Sequence, residues 1–134
     1  MVCIYCKAKT GVNNSRSTPR TLSTWRRREC HECYAIFTTR EQPDLESTIR
    51  VKNTSGALSP FSRDKLFISL LPSVSHRKTA LADAQSLTET IISVLIDVAQ
   101  RGVITTREII ESSNRILKRF DAAAATHYHA HHQA

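Results

Sequence analysis

The sequence predicts an α+β chain in two parts, a small β-rich unit over residues 1–44 and a mostly helical domain with a short β element at its start over residues 45–134. Three observations predict it. All four cysteines fall in the first part, as two Cys-x-x-Cys pairs. The stretches 21–28 and 34–40 are rich in the Thr, Tyr, Ile, Phe and Trp that suit a pleated surface. Beyond residue 46, apolar residues recur at spacings of three and four, the period of helices buried along one stripe.

The first part has too little apolar substance to hold itself together. Some forty residues cannot bury enough apolar area to offset their chain entropy without a covalent or metal clip. Cys3 and Cys6, followed by Cys30 and Cys33, place four thiolates in two tight turns that can converge on one tetrahedral ion. The segment between the pairs is slightly long, but lengthening a loop adds only about a few tenths of a kcal/mol. Four sulfur ligands leave no open coordination position, so one zinc ion per chain is expected in a structural role. Iron would suit the same four sulfurs. Disulfides are disfavoured by the cytoplasmic location expected for this chain, whose first ten residues hold two lysines and no apolar signal core. No run approaches the roughly 18 apolar residues of a membrane span.

Charge points to the partner. The chain carries 19 Lys and Arg against 12 Asp and Glu, a formal net charge of +7, which favours polyanions. Arg26, Arg27 and Arg28 immediately precede the second cysteine pair, with Arg16 and Arg20 upstream and Trp25 adjacent. Arginines on a small rigid knuckle can pair with phosphates or fork onto guanine edges in a major groove of double-stranded DNA. A solvated basic face is the plainer alternative, and Trp25 suits either a core or a stacking role. Basic residues are dispersed rather than gathered on an amphipathic helix, so a membrane surface is set aside.

In the second part, residues 47–52 alternate Thr48, Arg50 and Lys52 with Ile49 and Val51, the pattern of a short strand with one apolar face, and residues 53–59 read as a turn-rich loop. Ser62 is placed to cap a helix carrying Leu66, Phe67, Leu70 and Leu71, with Pro72 at its end. Residues 80–100 carry Leu87, Ile91, Leu95 and Val98 on one stripe, and Gly102 is placed to terminate that helix. Thr105 with Glu108 is a capping-box signature leading into Ile109, Ile110, Ile116, Leu117 and Phe120. A fourth helix is expected over residues 122–132. On it, His127 and His131 stand one turn apart, a spacing that lets two imidazoles face one ion, although solvated or packed histidines are the plainer reading.

Read in order, C-I-Y-C, then W-R-R-R-E-C-H-E-C-Y-A-I-F-T-T-R-E, then V-K-N-T-S-G-A-L-S-P-F-S-R-D-K-L, the chain closely resembles the NrdR-type transcriptional repressors over nearly its whole length. The resemblance implies a zinc ribbon followed by an ATP-cone. It also implies repression of ribonucleotide reductase genes, with the ribbon on operator boxes and the cone sensing ATP and dATP in a homo-oligomer. By the same resemblance, Cys3, Cys6, Cys30 and Cys33 match the zinc ligands, and Arg26 to Arg28 match the DNA-contacting basic run, to which the charge pattern adds Arg16 upstream as a DNA-contact candidate. Val51 and Lys52 match the strand that opens the nucleotide site, Asn53 stands where a basic residue is common, and Lys65 matches the helix lysine that follows the Pro-Phe pair. The C-terminus lacks the family's usual aromatic and arginine-bearing ending, with Tyr128 in an equivalent aromatic position.

Two other classes compete. A nucleotide hydrolase finds little support: the chain has no G-x-x-x-x-G-K-[ST] loop, no H-E-x-x-H pair and only 3 glycines, so the expectation is a non-enzyme. A zinc-ribbon adaptor for nucleic acid or protein, with no nucleotide sensing, is the remaining alternative.

Overall fold

The computed structural model describes residues 1–99 and 101–133, with Thr21 described in its backbone alone. The chain divides into two compact units, Met1–Pro43 and Asp44–Ala134.

In the first unit, β1 (Thr10–Thr18), β2 (Ser23–Cys30) and β3 (Ile36–Glu41) form an antiparallel meander with β2 in the centre. A 3-10 turn, Pro19–Thr21, joins β1 to β2; the fixed φ of Pro19 suits its first position, and Leu22 closes it at a left-handed φ of 52°. β2 and β3 are the two strands expected from composition. β1 is one the sequence does not announce, because its nine residues, TGVNNSRST, carry a single aliphatic side chain. Polarity of that kind is possible on a sheet that buries almost nothing: among the described side chains of this unit only Cys3, Cys30 and Ser23 are buried.

The second unit begins with a helical turn, α1 (Leu45–Thr48), overlapping the start of the expected strand. Asp44 explains the difference. Its backbone carbonyl accepts from Thr48 Oγ1 at 2.6 Å and its carboxylate from Ser47 Oγ at 2.8 Å, local bonds that compete with a strand ladder. Only Arg50–Lys52 is extended, as β4, and it is the middle strand of a small sheet. β5 (Leu58–Pro60) pairs with it antiparallel and β6 (Val103–Thr105) parallel. Neither neighbour is expected from the sequence, since three-residue strands carry too little periodicity to detect.

Four helices complete the unit: α2 (Arg63–Val74), α3 (Ala80–Val98), α4 (Thr106–Phe120) and α5 (Ala122–His131). Ser62 caps α2, its Oγ accepting from the Lys65 N–H at 3.2 Å. Pro72 does not end α2 but sits in its last turn; Ser75 Oγ donates to the Pro72 carbonyl at 2.8 Å just beyond. α3 stops at Val98, where Ala99 turns to an extended conformation as the C-cap, and Gln100, the last residue of the expected helix, lies outside the described residues. Gly102 serves the sheet rather than the helix end. Its φ is +73°, a Cβ there would lie 2.9 Å from the Thr48 carbonyl oxygen, and its own carbonyl accepts from Arg50 N–H at 2.8 Å. The capping box at α4 is formed in both directions, Thr105 Oγ1 accepting from Glu108 N–H at 3.1 Å and Glu108 Oε2 from Thr105 N–H at 2.7 Å.

The helices and sheet enclose one core in which Leu70, Val74, Ile91, Leu95, Ile104 and Leu117 are no more than 1% exposed. Val98 and Phe120, expected on the apolar stripes, lie partly outside it. Phe120 instead carries the Arg77 guanidinium 4.5 Å above its ring.

A polar network fastens the turn after α2 to the start of α5. Asp121 caps α5 by accepting from the Ala123 and Ala124 amides at 2.9 and 3.1 Å, and it also meets His76 Nε2 at 2.9 Å and Arg77 Nη1 at 3.1 Å. Arg77 reaches Asp83 as well, at 2.8 Å. The His76 hydrogen bond, then the Ala124 amide and Arg77, hold the Asp121 carboxyl well below the usual carboxylate range. A depressed native pKa contributes stability that is present above about pH 4 and lost as pH falls below it. Asp121→Ala is therefore expected to lower the melting temperature of this unit by about 4–8 °C at pH 7. The difference from the unsubstituted chain should shrink in melts repeated at about pH 3.

Candidate metal centre and nucleic-acid interface

Two knuckles build the metal centre. In each, the chain reverses between the cysteines and leaves the residue after the second one in a left-handed conformation, Lys7 at φ 66° and Tyr34 at φ 59°. The Lys7 amide donates to the Cys3 carbonyl at 3.0 Å, and the Cys30 amide to the Ala35 carbonyl at 2.9 Å. Cys3 Sγ lies 3.7 Å from Cys33 Sγ, Cys6 Sγ lies 3.4 Å from Cys30 Sγ, and all four sulfurs are within 4.8 Å of one another. A tetrahedral zinc with Zn–S bonds of about 2.3 Å has sulfur–sulfur edges of about 3.8 Å, so the four residues fit one such ion. Among the described residues no other group of three or more His, Cys, Asp or Glu side chains converges in this way.

Backbone amides prepare the sulfurs for that ion. The N–H groups of Glu32 and Cys33 point at Cys30 Sγ, each at 3.4 Å, and that of Tyr5 at Cys3 Sγ at 3.4 Å. The Cys33 amide, opposed by burial and aided by the Glu32 amide, brings the Cys30 thiol down to about 6. Cys3 is lowered in the same way, chiefly by the Cys6 amide. Cys33 goes the other way: although the Ala35 amide favours its thiolate, burial and the three neighbouring sulfurs push it up to about 12. Four negative sulfurs cannot share this space without a cation between them, and a divalent ion supplies it.

The basic run is divided by the pleat. Successive residues of a strand face opposite sides of the sheet, so Arg26 and Arg28 point one way and Trp25 and Arg27 the other. Arg26 Nη1 meets Glu41 Oε2 at 2.7 Å, and Arg28 Nε donates to Thr39 Oγ1 at 3.0 Å. On the opposite face the register sets Arg16 and Arg40 on either side of Trp25, and Asn14 and Thr38 on either side of Arg27. The Arg40 guanidinium stacks 4.0 Å from the Trp25 ring centre. Asn14, Ser15, Arg16, Trp25, Arg27 and Thr38 line a shallow groove of about 120 Å³. Arg16 and Arg27 have no hydrogen-bond or carboxylate partner among the described residues, and Trp25 is 41% exposed. Trp25 is thus a surface platform rather than a core residue. Arg40 is not singled out by the sequence pattern; the alternation along β2 and β3, applied with their register, is the signal that finds it.

The four residues matched to nucleotide binding occupy different settings. Val51, in the middle of β4, is half-buried and packs on the core. Lys52 is exposed opposite Leu58 and Thr105, at the turn end of the β4–β5 hairpin. Lys65 is exposed in the first turn of α2, past the hairpin's open end. Neither ammonium group has a hydrogen-bond or carboxylate partner among the described residues. Asn53 organises the hairpin turn: its Oδ1 accepts from Ser55 N–H at 3.0 Å, Ser55 Oγ at 2.7 Å and Ala57 N–H at 2.9 Å. Only its side-chain NH2 remains to face outward.

Residues 1–41 match the family described as "Transcriptional repressor NrdR-like, N-terminal domain". Among curated proteins, the chain is 33% identical over 125 residues to the transcriptional repressor NrdR of Chlamydia muridarum, an alignment covering 92% of this chain and 80% of that protein. It is 32% identical to that of Chlamydia trachomatis serovar D, covering 92% and 79%. With that of Halorubrum lacusprofundi it shares 34% identity over 98 residues, 72% of this chain and 60% of that protein. A four-cysteine centre in a basic β-sheet unit, followed by a helical unit and joined to a likeness of this extent, places the chain in the NrdR family of transcriptional repressors.

Proposed function

We propose that the protein is a nucleotide-responsive repressor of ribonucleotide reductase genes, acting in the cytoplasm. Its zinc ribbon binds operator boxes in double-stranded DNA, and ATP or dATP held by the second unit sets the oligomeric state. The observation that carries the DNA-binding part is the unpartnered Arg16 and Arg27 beside the Trp25–Arg40 stack, on a sheet anchored by the four-cysteine centre. Guanidinium groups flanking an aromatic platform suit phosphates and base edges together. Arg26 and Arg28 already have partners in Glu41 and Thr39, so the Arg27 face is the contact face in this reading.

The nucleotide part is supported by the family membership and by two unpaired ammonium groups, Lys52 and Lys65, suited to polyphosphate oxygens. A single ribbon should hold one half-site weakly. An assembly that presents several ribbons raises their effective concentration, so a nucleotide that changes the assembly changes operator affinity without touching the ribbon. This is the behaviour of a regulator rather than an enzyme.

A mobility-shift titration on the promoter region of the host's ribonucleotide reductase genes, with zinc-loaded protein and ATP or dATP varied, tests the whole reading. Operator affinity and oligomer size should both change with nucleotide; if neither does, nucleotide sensing is wrong and a zinc-ribbon adaptor replaces it. Within the same assay, Arg27→Ala is expected to weaken binding roughly ten- to hundredfold. Arg26→Ala should have a much smaller effect. Equal losses from the two would refute the assignment of the contact face.

A further inference from the structure

We propose that His127 and His131 form a second metal site on α5, in which two imidazole Nε2 atoms ligate a late first-row divalent cation such as Ni2+ or Zn2+. Both histidines are exposed and lie one helical turn apart, with rings stacked at a centroid separation of 4.3 Å and an angle of 21°. Two nitrogens bound to one tetrahedral ion are separated by about 3.3 Å, so the two stacked rings share one ion by turning their Nε2 edges toward each other.

The hydrogen bonds favour the nitrogens that would be ligands. His131 Nδ1 lies 2.8 Å from the His127 carbonyl oxygen. A carbonyl can only accept, so Nδ1 carries the proton and Nε2 carries the lone pair. His127 Nδ1 lies 3.0 Å from Ser73 Oγ on α2, a hydroxyl able to accept from the same tautomer. Metal-bound histidines characteristically donate their second ring N–H to a carbonyl or another fixed acceptor, which orients the ring and raises its basicity. Here the His131 Nδ1 is already placed in that way, and the His127 Nδ1 has in Ser73 a hydroxyl that can accept from it.

The neighbouring histidines do not share this arrangement. His132 stacks on Tyr128 instead, at 4.1 Å, and donates from Nδ1 to the Tyr128 carbonyl at 3.1 Å. His129 is two residues from either partner and so projects from another side of the helix. With two protein ligands and the remaining positions left to water, the ion would exchange readily, unlike one enclosed by the four cysteines. Imidazole selects late transition-metal ions over Mg2+ and Ca2+.

The test uses the full chain with its ribbon already loaded with zinc, titrated with Ni2+ by calorimetry and followed by the imidazole proton resonances. One Ni2+ per chain beyond the zinc is expected, with the His127 and His131 signals broadened selectively. His127→Ala and His131→Ala should each weaken binding by at least about tenfold, and Ser73→Ala, which leaves both ligands in place, by about tenfold. His129→Ala should leave it unchanged. Absence of uptake beyond the zinc, uptake that displaces zinc one for one, or affinity undiminished in the two ligand variants would each overturn the proposal.

Discussion

Cys30→Ser is expected to unfold the first unit and leave the second folded. The reason is the near absence of any other buried side chain: apart from Ser23, only Cys3 and Cys30 are buried among the described residues of that unit, and both belong to the metal centre. A sheet whose strands read TGVNNSRST, STWRRREC and IFTTRE has no apolar face to close upon. Its backbone ladder alone cannot offset the chain entropy of some forty residues. In small domains that fold on their metal, structural zinc contributes about 10–16 kcal/mol at neutral pH, so losing one of four ligands removes most of what holds the ribbon. The chain contains one tryptophan, Trp25 on β2, which makes its emission a report on this unit alone. A chelator titration should therefore shift Trp25 emission to that of an unfolded chain, and Cys30→Ser should show the shifted emission from the outset. The helical circular dichroism melt should stay in place in both cases. Native-like emission from zinc-free protein would show that the strands hold without the metal.

Tyr128→Ala is expected to destabilise the second unit by about 3–5 kcal/mol, among the largest effects of any core substitution in it. Tyr128 is 1% exposed, the bulkiest of the fully buried side chains, and it sits where α5 closes the core. The Ser113 and Ser69 hydroxyls lie near its own, but Ser113 Oγ is buried without a hydrogen-bond partner, so Tyr128→Phe should cost no more than about 1 kcal/mol, the net worth of one hydrogen bond. Denaturant unfolding of both variants separates the ring from the hydroxyl. Burial raises the phenol's pKa against the weaker opposite pull of those two hydroxyls. The neutral phenol's contribution is therefore fully present below about pH 10 and lost as pH rises beyond it. Tyr128→Phe should abolish that alkaline loss.

Chemistry is more legible in this sequence than shape. The cysteine spacing names the four sulfurs that converge, because ligand sets are written in residue identity and short intervals. The capping box at Thr105 and the apolar stripe of Leu87, Ile91 and Leu95 are equally readable, since both are local. What escapes depends on partners distant in the chain. β1 is polar and is a strand only because β2 lies beside it, and β6 is three residues long and is ordered by β4, some fifty residues earlier. Pairing register likewise decides the arginines: three adjacent cationic residues look like one strip until the pleat sends Arg27 one way and Arg26 and Arg28 the other. Asn53, matched by position to a nucleotide ligand, has its amide oxygen taken up by its own turn, a competition that a one-dimensional pattern does not display.

The parallel pairing of β4 with β6 also bears on the order in which the molecule is made. On the ribosome the first unit is complete once Pro43 has emerged, and its strand pairings all lie within that stretch. It can capture metal while the rest is still being translated. The second unit cannot close its sheet until Val103–Thr105 has been synthesised, after both α2 and α3. Its hairpin and helices must wait for a strand that arrives late, a non-local closure that slows folding relative to purely local contacts. Nascent chains arrested before residue 103 should therefore carry a metallated first unit and an unfinished second one, whereas emergence of the chain beyond Thr105 should allow the sheet to assemble.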